Sequence, residues 1–474
     1  MPTVVRVSCA PAPEVGPSTL SHGKEILDLK TTLSRLALGL LLSGSTASAA
    51  KAGGMFPYKT HVETLDNGLE VVLVPMSSQG LVAYWSIVRT GARDEYEPGH
   101  TGFAHFFEHM MFRGTEKYPQ EKYGEITTKM GSDDNAFTSD DLTAYHLSVT
   151  SADLEQVMEI ESDRFMNLKY SPTQFKTEAG AVYGEYRKNR TNPFFAIYEA
   201  VRKAAFDVHT YGHTAMGYEE DIKRMPEMFD YSRSFFDRYY RPENIVLLIA
   251  GDIQVEPTMK LVRRYYGAWQ KGYTPPKVPV EPEQSQEKRI TVPYEGKSLP
   301  LVMVSYKNDR FDPRDRHIVA STVLADLAFG ETSELHKKLV LDEQVVEFIE
   351  GESNLNRDPS LFDVLARVKD PAKVDYVLSE IDRTVAAFQA APPDAQRVAD
   401  VKSRAKYQFL MNLETPSAVA RACARVIALT GDIESIDQMY TTLDSVTPQD
   451  VQDAARTYLQ AKRRTVAVLR GEES

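Results

Sequence analysis

The sequence predicts an α+β protein of two homologous halves, each a mainly antiparallel sheet covered by helices, joined by a proline-rich linker. Its 474 residues exceed what one hydrophobic core usually organises, and the 42% hydrophobic fraction is ordinary for a globular protein. The stretches 240–252 and 458–471 form a faint repeat, because each closes a helix-rich segment with a tyrosine, a polar turn, an apolar strand and a glycine. Four prolines within 274–286 predict a stiff linker between the halves.

The N-terminal residues 1–50 predict a secretory signal peptide with its leader. Lys30 and Arg35 precede the apolar run 36–42, and small residues follow up to Ala49, which is the order basic region, apolar region and cleavage site. The run is too short to span a bilayer. A disordered low-complexity tail is the alternative, because twenty-nine residues precede Lys30. We expect cleavage near Ala49, a periplasmic location and a mature chain without a membrane span.

Charge and cysteine content argue against two kinds of partner and against a fold held together by disulfide bonds. The net charge of −12 argues against a nucleic acid or an anionic membrane surface as a partner. Cys9 and Cys423 are the only cysteines, so no disulfide framework holds the fold.

In the first half, a hairpin is predicted at 61–75, because two β-rich runs meet at Asn67-Gly68, a tight-turn sequence. A strand at 81–89 and a short helix at 119–130 are predicted next. Two strands around an acidic turn follow at 131–149, and then two helices at 152–168 and 172–188. The second half repeats a similar order, with strands at 300–306, 346–352 and 362–368, a helix at 314–329 and further helices up to 458.

The stretch His105-Phe-Phe-Glu108-His109 carries the most specific chemistry. It lies in a proline-free run with apolar neighbours, which predicts a helix that ends near Gly114. Residues four apart project from one helix face, so His105 and His109 form a ready pair of zinc ligands. Glu108 leans to the same side, where it can take a proton from a metal-bound water. The order H-x-x-E-H is the inverted form of the commoner zinc motif, and a core helix with two hydrogen-bonded histidines is the alternative.

A candidate third ligand lies on the predicted helix at 172–188. Glu178 and Glu185 are seven residues apart, which is two turns, and therefore share a face. Taken alone, two such glutamates indicate a solvated helix face. Their distance from the histidine motif gives them a second interpretation.

Together the two stretches resemble the pitrilysin and insulinase family of zinc peptidases, in particular its processing-peptidase-like members. The resemblance implies that His105, His109 and Glu185 bind Zn²⁺. It also implies that Glu108 is the general base and that Glu178 holds a ligand in orientation.

The resemblance covers nearly all of the chain after about residue 55 and divides it into domains. A zinc-binding peptidase domain at 55–273 precedes the linker at 274–288. The remaining residues, 289–474, are expected to form a second domain of the same fold without a metal site.

Two further implications concern peptide substrates and a partner. Family members carry an edge strand that accepts the substrate backbone as an added strand. Asn135 and Ala136 match this strand, so the resemblance implies that they contact the substrate. The alternative is a plain hairpin in which the asparagine caps a turn. Self-sufficient members also carry an arginine and, seven residues later, a tyrosine in the second half. Here Val340 and Glu347 take those positions. The sequence therefore predicts a heterodimer whose zinc-less homologous subunit supplies the arginine and the tyrosine.

His209 and His213 form a second pair four residues apart and are a rival metal site. Gly212 lies between them and no carboxylate is suitably spaced, so we expect these histidines to pack in a loop.

These patterns predict a zinc metalloendopeptidase that cleaves peptides or short unfolded polypeptides. Two alternatives remain open. One is a non-catalytic scaffold subunit of the same fold, and the other is a module that binds peptides by strand addition without cutting them.

Overall fold

The computed structural model describes residues 3–5 and 54–471. Apart from residues 3–5, the predicted signal and leader segment, with Lys30, Arg35 and the cleavage site near Ala49, lies outside these residues. Within 54–471, none of the helices combines the length and the apolar character that crossing a bilayer requires.

The first half is built on a seven-stranded sheet in the order β1-β5-β6-β4-β7-β3-β2. The strands are β1 (Thr3–Val5), β2 (His61–Thr64), β3 (Glu70–Pro75), β4 (Leu81–Val88), β5 (Asp133–Thr138), β6 (Thr143–Thr150) and β7 (Ile245–Gly251). Neighbouring strands are antiparallel except β3 and β7, which are parallel. The predicted hairpin is confirmed, and Gly68 adopts φ 89° at its turn, a conformation that glycine reaches without strain.

Helices cover one face of this sheet and enclose a core of aromatic and aliphatic side chains. The helices are α1 (Phe103–Met110), α2 (Gln120–Met130), α3 (Leu154–Asn167), α4 (Pro172–Arg190), α5 (Pro193–Ala205), α6 (Glu219–Arg224), α7 (Phe229–Tyr239) and α8 (Val255–Tyr266). The two glycines within α4 do not interrupt it. Ser171 caps this helix by accepting a hydrogen bond from Gln174 N, and Pro172 occupies its first position.

The second half contains a five-stranded sheet in the order β10-β11-β9-β12-β8. Its strands are β8 (Lys288–Pro293), β9 (Leu301–Lys307), β10 (Val346–Ser353), β11 (Leu361–Val368) and β12 (Arg464–Arg470). Its helices are α9 (Arg316–Phe329), α10 (Glu334–His336), α11 (Val374–Ala390), α12 (Ala395–Met411), α13 (Pro416–Thr430), α14 (Ser435–Ser445) and α15 (Pro448–Tyr458). A π-helical turn, Lys337–Asp342, continues α10. β8 was not predicted, because its mostly half-exposed and exposed side chains give a weak strand pattern.

The two sheets have the same topology, as the faint repeat predicts. The order β5-β6-β4-β7-β3 corresponds to β10-β11-β9-β12-β8, and in both the last pair is parallel while the others are antiparallel. The α+β fold of two homologous halves is therefore confirmed.

Each half also contributes a helix to the other half's sheet. α5 packs on β8, β9 and β12, where Ile197 and Val201 join the same buried cluster as Leu301 and Leu469. In return α13 packs on β4 and β7 of the first sheet. The halves thus share continuous apolar cores, which makes them one compact body.

Candidate metal centre

The helix α1 places the first two candidate ligands deep inside the first half. All eight of its residues are buried. Glu95 anchors its N-terminus, because the two carboxyl oxygens accept hydrogen bonds from Gly102 N (2.8 Å) and Ala104 N (2.7 Å). These are backbone donors that the first turn of a helix leaves unpaired. The helix is therefore fixed in position before any ligand binds.

The predicted ligands converge between α1 and α4. The rings of His105 and His109 lie 4.8 Å apart, centroid to centroid. Glu185 Oε2 lies 3.8 Å from His105 Nε2 and 3.3 Å from His109 Nε2. Candidate ligand atoms of the three residues all lie within 4.8 Å of one another, and no other such group of three is found in the part of the chain that the structure describes.

The donor set fits zinc. Both His105 Nε2 and His109 Nε2 are buried and lack a hydrogen-bond partner among the described residues. Buried polar atoms normally have partners, so the two unpaired nitrogens aimed at Glu185 are suited to binding a cation together with it. Two imidazoles and one carboxylate, with a further position open, are a donor set of catalytic zinc sites.

Glu178 contacts the second histidine from behind. His109 Nδ1 lies 2.9 Å from Glu178 Oε1, and Arg113 pairs with the other carboxylate oxygen. Burial acts to raise the pKa of Glu178, but His109 and Arg113 together hold it below its usual range. A carboxylate in this place orients the imidazole so that Nε2 faces the metal position. Arg113 was not singled out in the sequence, although it stands four residues after His109.

Glu108 lies in the same pocket and is fully buried. Thr138 Oγ1 donates a 2.6 Å hydrogen bond to Glu108 Oε2, whereas Oε1 has no partner among the residues described. Burial raises the pKa of Glu108 to about 7, against the opposing effects of His109 and Thr138. A carboxyl group whose pKa lies near neutrality is suited to both accepting and returning a proton.

Burial and neighbouring charges shift the pKa values of the three candidate ligands in different directions. Burial, with the neighbouring His109, lowers the pKa of His105 to about 4. Burial also acts to lower the pKa of His109, but the carboxylates of Glu178 and Glu185 raise it to about 10. Conversely, His109, whose Nε2 lies 3.3 Å from Glu185 Oε2, lowers the pKa of Glu185 to about 2, although burial acts to raise it. The carboxylates around His109 thus favour positive charge in the centre.

The predicted substrate strand is β5, at the outer side of the site. Ala136 points its side chain into the core beneath α1, and Asn135 Oδ1 accepts a 2.9 Å hydrogen bond from Ala136 N. Thr138 is two residues further along and shares the face of Ala136. Sequence reasoning missed Thr138, and this alternation within the strand is the signal that could have identified it.

Val340 and Glu347, which the sequence comparison predicts at the positions of the family's arginine and tyrosine, lie in the second half. Val340 is half-buried in the π-helical turn and packs against the apolar core. Glu347 is exposed on β10 and lies 3.4 Å from Arg367. Neither side chain can donate a hydrogen bond to an oxyanion.

The rival histidines do not converge. His209 and His213 flank a short 3₁₀ turn, Thr210–Gly212. His209 Nδ1 accepts from Tyr211 N while its Nε2 lies 3.1 Å from Asp358 Oδ2. His213 Nδ1 instead lies 2.9 Å from the Thr214 carbonyl oxygen. The two rings therefore have separate protein partners.

Comparison with known proteins shows similarity to peptidases along most of the chain. Residues 71–219 match the family model described as insulinase (peptidase family M16), and residues 229–405 match the model described as peptidase M16 inactive domain. The first match includes all three candidate ligands and Glu108.

Individual relatives cover nearly the full length. The zinc protease PqqE of Helicobacter pylori is 24% identical over 441 residues, which is 92% of this chain and 98% of that protein. The mitochondrial-processing peptidase subunit beta of Bos taurus is 25% identical over 441 residues, or 90% of this chain and 87% of that protein. The crystal structure of a protease from Helicobacter pylori has a TM-score of 0.81 at 24% identity, covering 87% of this chain and 99% of that one. The two chains share a fold.

Proposed function

Because the chain belongs to the insulinase family of peptidases (M16), we propose that it is a zinc-dependent metalloendopeptidase that cleaves peptides or short unfolded polypeptides. The observation that carries the proposal is the convergence of His105, His109 and Glu185 within 4.8 Å. Glu108 lies beside them with one unpaired oxygen. A scaffold has no need of both a complete ligand set and a base.

The side chains have separate roles in the proposed hydrolysis. His105, His109 and Glu185 would hold a zinc ion, which would supply Lewis-acid chemistry to the attacking water and the peptide carbonyl. Glu108 accepts a proton from the attacking water and later donates it to the amine of the leaving product. Thr138 occupies Oε2, so Oε1 is the oxygen available for this transfer. Glu178 keeps the ring of His109 oriented.

Peptide substrates are proposed to add as a strand to the outer edge of β5, beside Asn135 and Ala136. Support comes from the chain itself: β1 pairs antiparallel with this edge, with Val5 opposite Ala136. The edge can therefore accept an extended backbone. Since β5 continues to Thr138, a chain bound there runs past the proposed base.

The chain is further proposed to be the catalytic subunit of a heterodimer. Val340 and Glu347 stand where self-sufficient relatives carry the arginine and tyrosine that contact the substrate, so a zinc-less subunit of the same fold would supply both groups. The bovine relative is itself named as a subunit. Secretion through the N-terminal signal segment would place the assembly in the periplasm, and recovery of a chain that begins near Lys51 from that compartment tests this.

The test of the peptidase is hydrolysis of a quenched-fluorescent oligopeptide by the chain from Lys51 onward, loaded with about one zinc ion. Chelator-sensitive turnover that Glu108→Gln abolishes supports the proposal. Tight peptide binding without cleavage favours a binding module, and neither binding nor cleavage favours a scaffold. Turnover that appears only with a homologous zinc-less chain supports the heterodimer, whereas full activity of a monomer contradicts it.

A further inference from the structure

The loop that joins β10 and β11, residues 354–360, extends from the second half into the first; we call it the hairpin tip. Asn356 Nδ2 donates to Asp141 Oδ2 (2.8 Å), and Arg357 N lies 3.3 Å from the same oxygen. Asp358 Oδ2 accepts from Arg93 Nε (2.6 Å) and lies 3.1 Å from His209 Nε2. Side chains and backbone of the hairpin tip thus contact three separate segments of the first half, those of Asp141, Arg93 and His209.

Two of these segments, those of Asp141 and Arg93, adjoin the candidate metal centre. Asp141 lies in the turn between β5 and β6, three residues after Thr138, which holds Glu108. Arg93 lies in the short turn before α1, two residues ahead of Glu95, which anchors that helix. One segment therefore positions the partner of the proposed base, and the other positions the helix that carries it.

The two segments also bind each other directly. Ala92 N donates to the Ser139 carbonyl oxygen (3.1 Å), and Arg93 N donates to the Asp140 carbonyl oxygen (2.8 Å). The approach depends on Gly91, because a Cβ there would lie only 2.3 Å from the Ser139 oxygen. The turn after β5 and the turn before α1 consequently form one unit, to which the hairpin tip is bonded at both sides.

The Asp141 side of this network is buried, whereas the side chain of Asp358 is 26% exposed. Asp141 is 2% exposed and Asn356 is 6% exposed. Tyr211, also buried, donates to Asp141 Oδ1 (2.6 Å) and lies 3.2 Å from Asp358 N. Burial acts to raise the pKa of Asp358, yet hydrogen bonds from His209 and Arg93 lower it below its usual range. Loss of partners would leave the buried carboxylate of Asp141 unpaired in the interior, so the network favours one arrangement.

We propose that the hairpin tip is a positioning element for Glu108, through which the second half holds the turn after β5 and the turn before α1 in the geometry that hydrolysis requires. The inference rests on the proposed function, because it assigns Glu108 the role of base. The residues of the hairpin tip touch neither the candidate ligands nor the proposed substrate strand directly. The second half therefore contributes to catalysis within its own chain, besides any contribution to a partner.

The variant Asp358→Ala, in the full zinc-loaded chain, tests the proposal by hydrogen exchange. Amides of residues 102–110 and 133–142 are expected to exchange at least about tenfold faster than in the unchanged protein. Asp326→Ala is the matched control, since Asp326 accepts a 2.7 Å bond from Arg404 within the second half and is similarly exposed (35% against 26%). Unchanged exchange in both stretches, or equal acceleration in the control, overturns the proposal. Hydrogen exchange does not require turnover, so it tests the positioning role even if the chain proves not to be a peptidase.

Kinetics give the second readout. Asp358→Ala is expected to lower kcat at least about tenfold with KM and zinc content nearly unchanged, while Asp358→Glu restores part of the loss. Because the effect should pass through Thr138, the double variant Thr138→Ala/Asp358→Ala should lose less than the product of the single losses. If the kcat losses of the two single variants simply multiply in the double variant, the positioning role is contradicted. Loss of zinc from Asp358→Ala would also contradict it.

Discussion

Thr138 Oγ1 donates a 2.6 Å hydrogen bond to Glu108 Oε2, and the other oxygen of Glu108 has no partner among the described residues. The carboxyl group is thus held at one oxygen and available at the other. The two residues are thirty positions apart in the chain, and the sheet edge brings them together beside the candidate ligands.

Replacing Glu108 with Gln should abolish hydrolysis while leaving the metal bound. The amide preserves the shape of the side chain but cannot accept the proton, so kcat should fall by about a hundredfold to ten-thousandfold. Turnover of a quenched-fluorescent peptide and zinc content measure the two effects. Glu121→Gln, at an exposed position on α2, is the control and should retain full activity. Substantial turnover by Glu108→Gln would rule out its role as base.

Replacing Glu178 with Gln should weaken zinc binding. The neutral amide loses the charged contacts to His109 and Arg113, so the ligand ring is held less firmly. Loss of such a partner typically costs about tenfold to a hundredfold in metal affinity. Competition with a chromogenic chelator measures it. The control is Glu199→Gln, whose carboxylate pairs with Tyr186 and Arg190 beyond the ligand cluster; equal affinities in both variants would contradict the assignment.

Arg164 should be a principal determinant of stability in the first half. Arg164 is 2% exposed, and its guanidinium pairs with buried Glu161 and lies over four aromatic rings, those of Phe112, Tyr123, Tyr145 and Phe165. Arg164→Met leaves the charge of Glu161 uncompensated, so the free energy of unfolding should fall by about 3–5 kcal/mol. Urea denaturation measures the loss. The double variant Arg164→Met/Glu161→Gln should recover part of it, and a double variant as unstable as the single one would refute the charge argument.

The side chain of Lys307 should make stability rise with pH in the alkaline range. Burial lowers its pKa to about 8, against 10.5 for the unperturbed group, although Glu281 lies 3.0 Å from its Nζ. Between these values the unfolded chain binds a proton that the folded chain does not, so the free energy of unfolding increases with pH. Urea midpoints of the unchanged protein and of Lys307→Met, at about pH 7.5 and 10, test this. The difference in urea midpoint between the two proteins should change with pH. A difference that stays constant would contradict the prediction.

Much of the fold followed from local patterns in the sequence. The turn at Asn67-Gly68, the helix around His105 and His109, and the helix of Glu178 were predicted near their observed bounds. Such features depend on residue spacing within one or two turns, which a sequence displays directly. β8 was missed because only one of its side chains is buried, which leaves a weak strand pattern, and the single parallel pair in each sheet was not predicted.

The sequence by itself determined which side chains could bind a metal and which could accept a proton, because those properties follow from residue type and helical period. Only the tertiary structure decided that Thr138 holds Glu108, that Arg113 supports Glu178, and that the hairpin tip binds the segments around the site. Those contacts join residues that are distant in the chain. They depend on how two sheets exchange helices and bury a common core, and no short stretch encodes that packing.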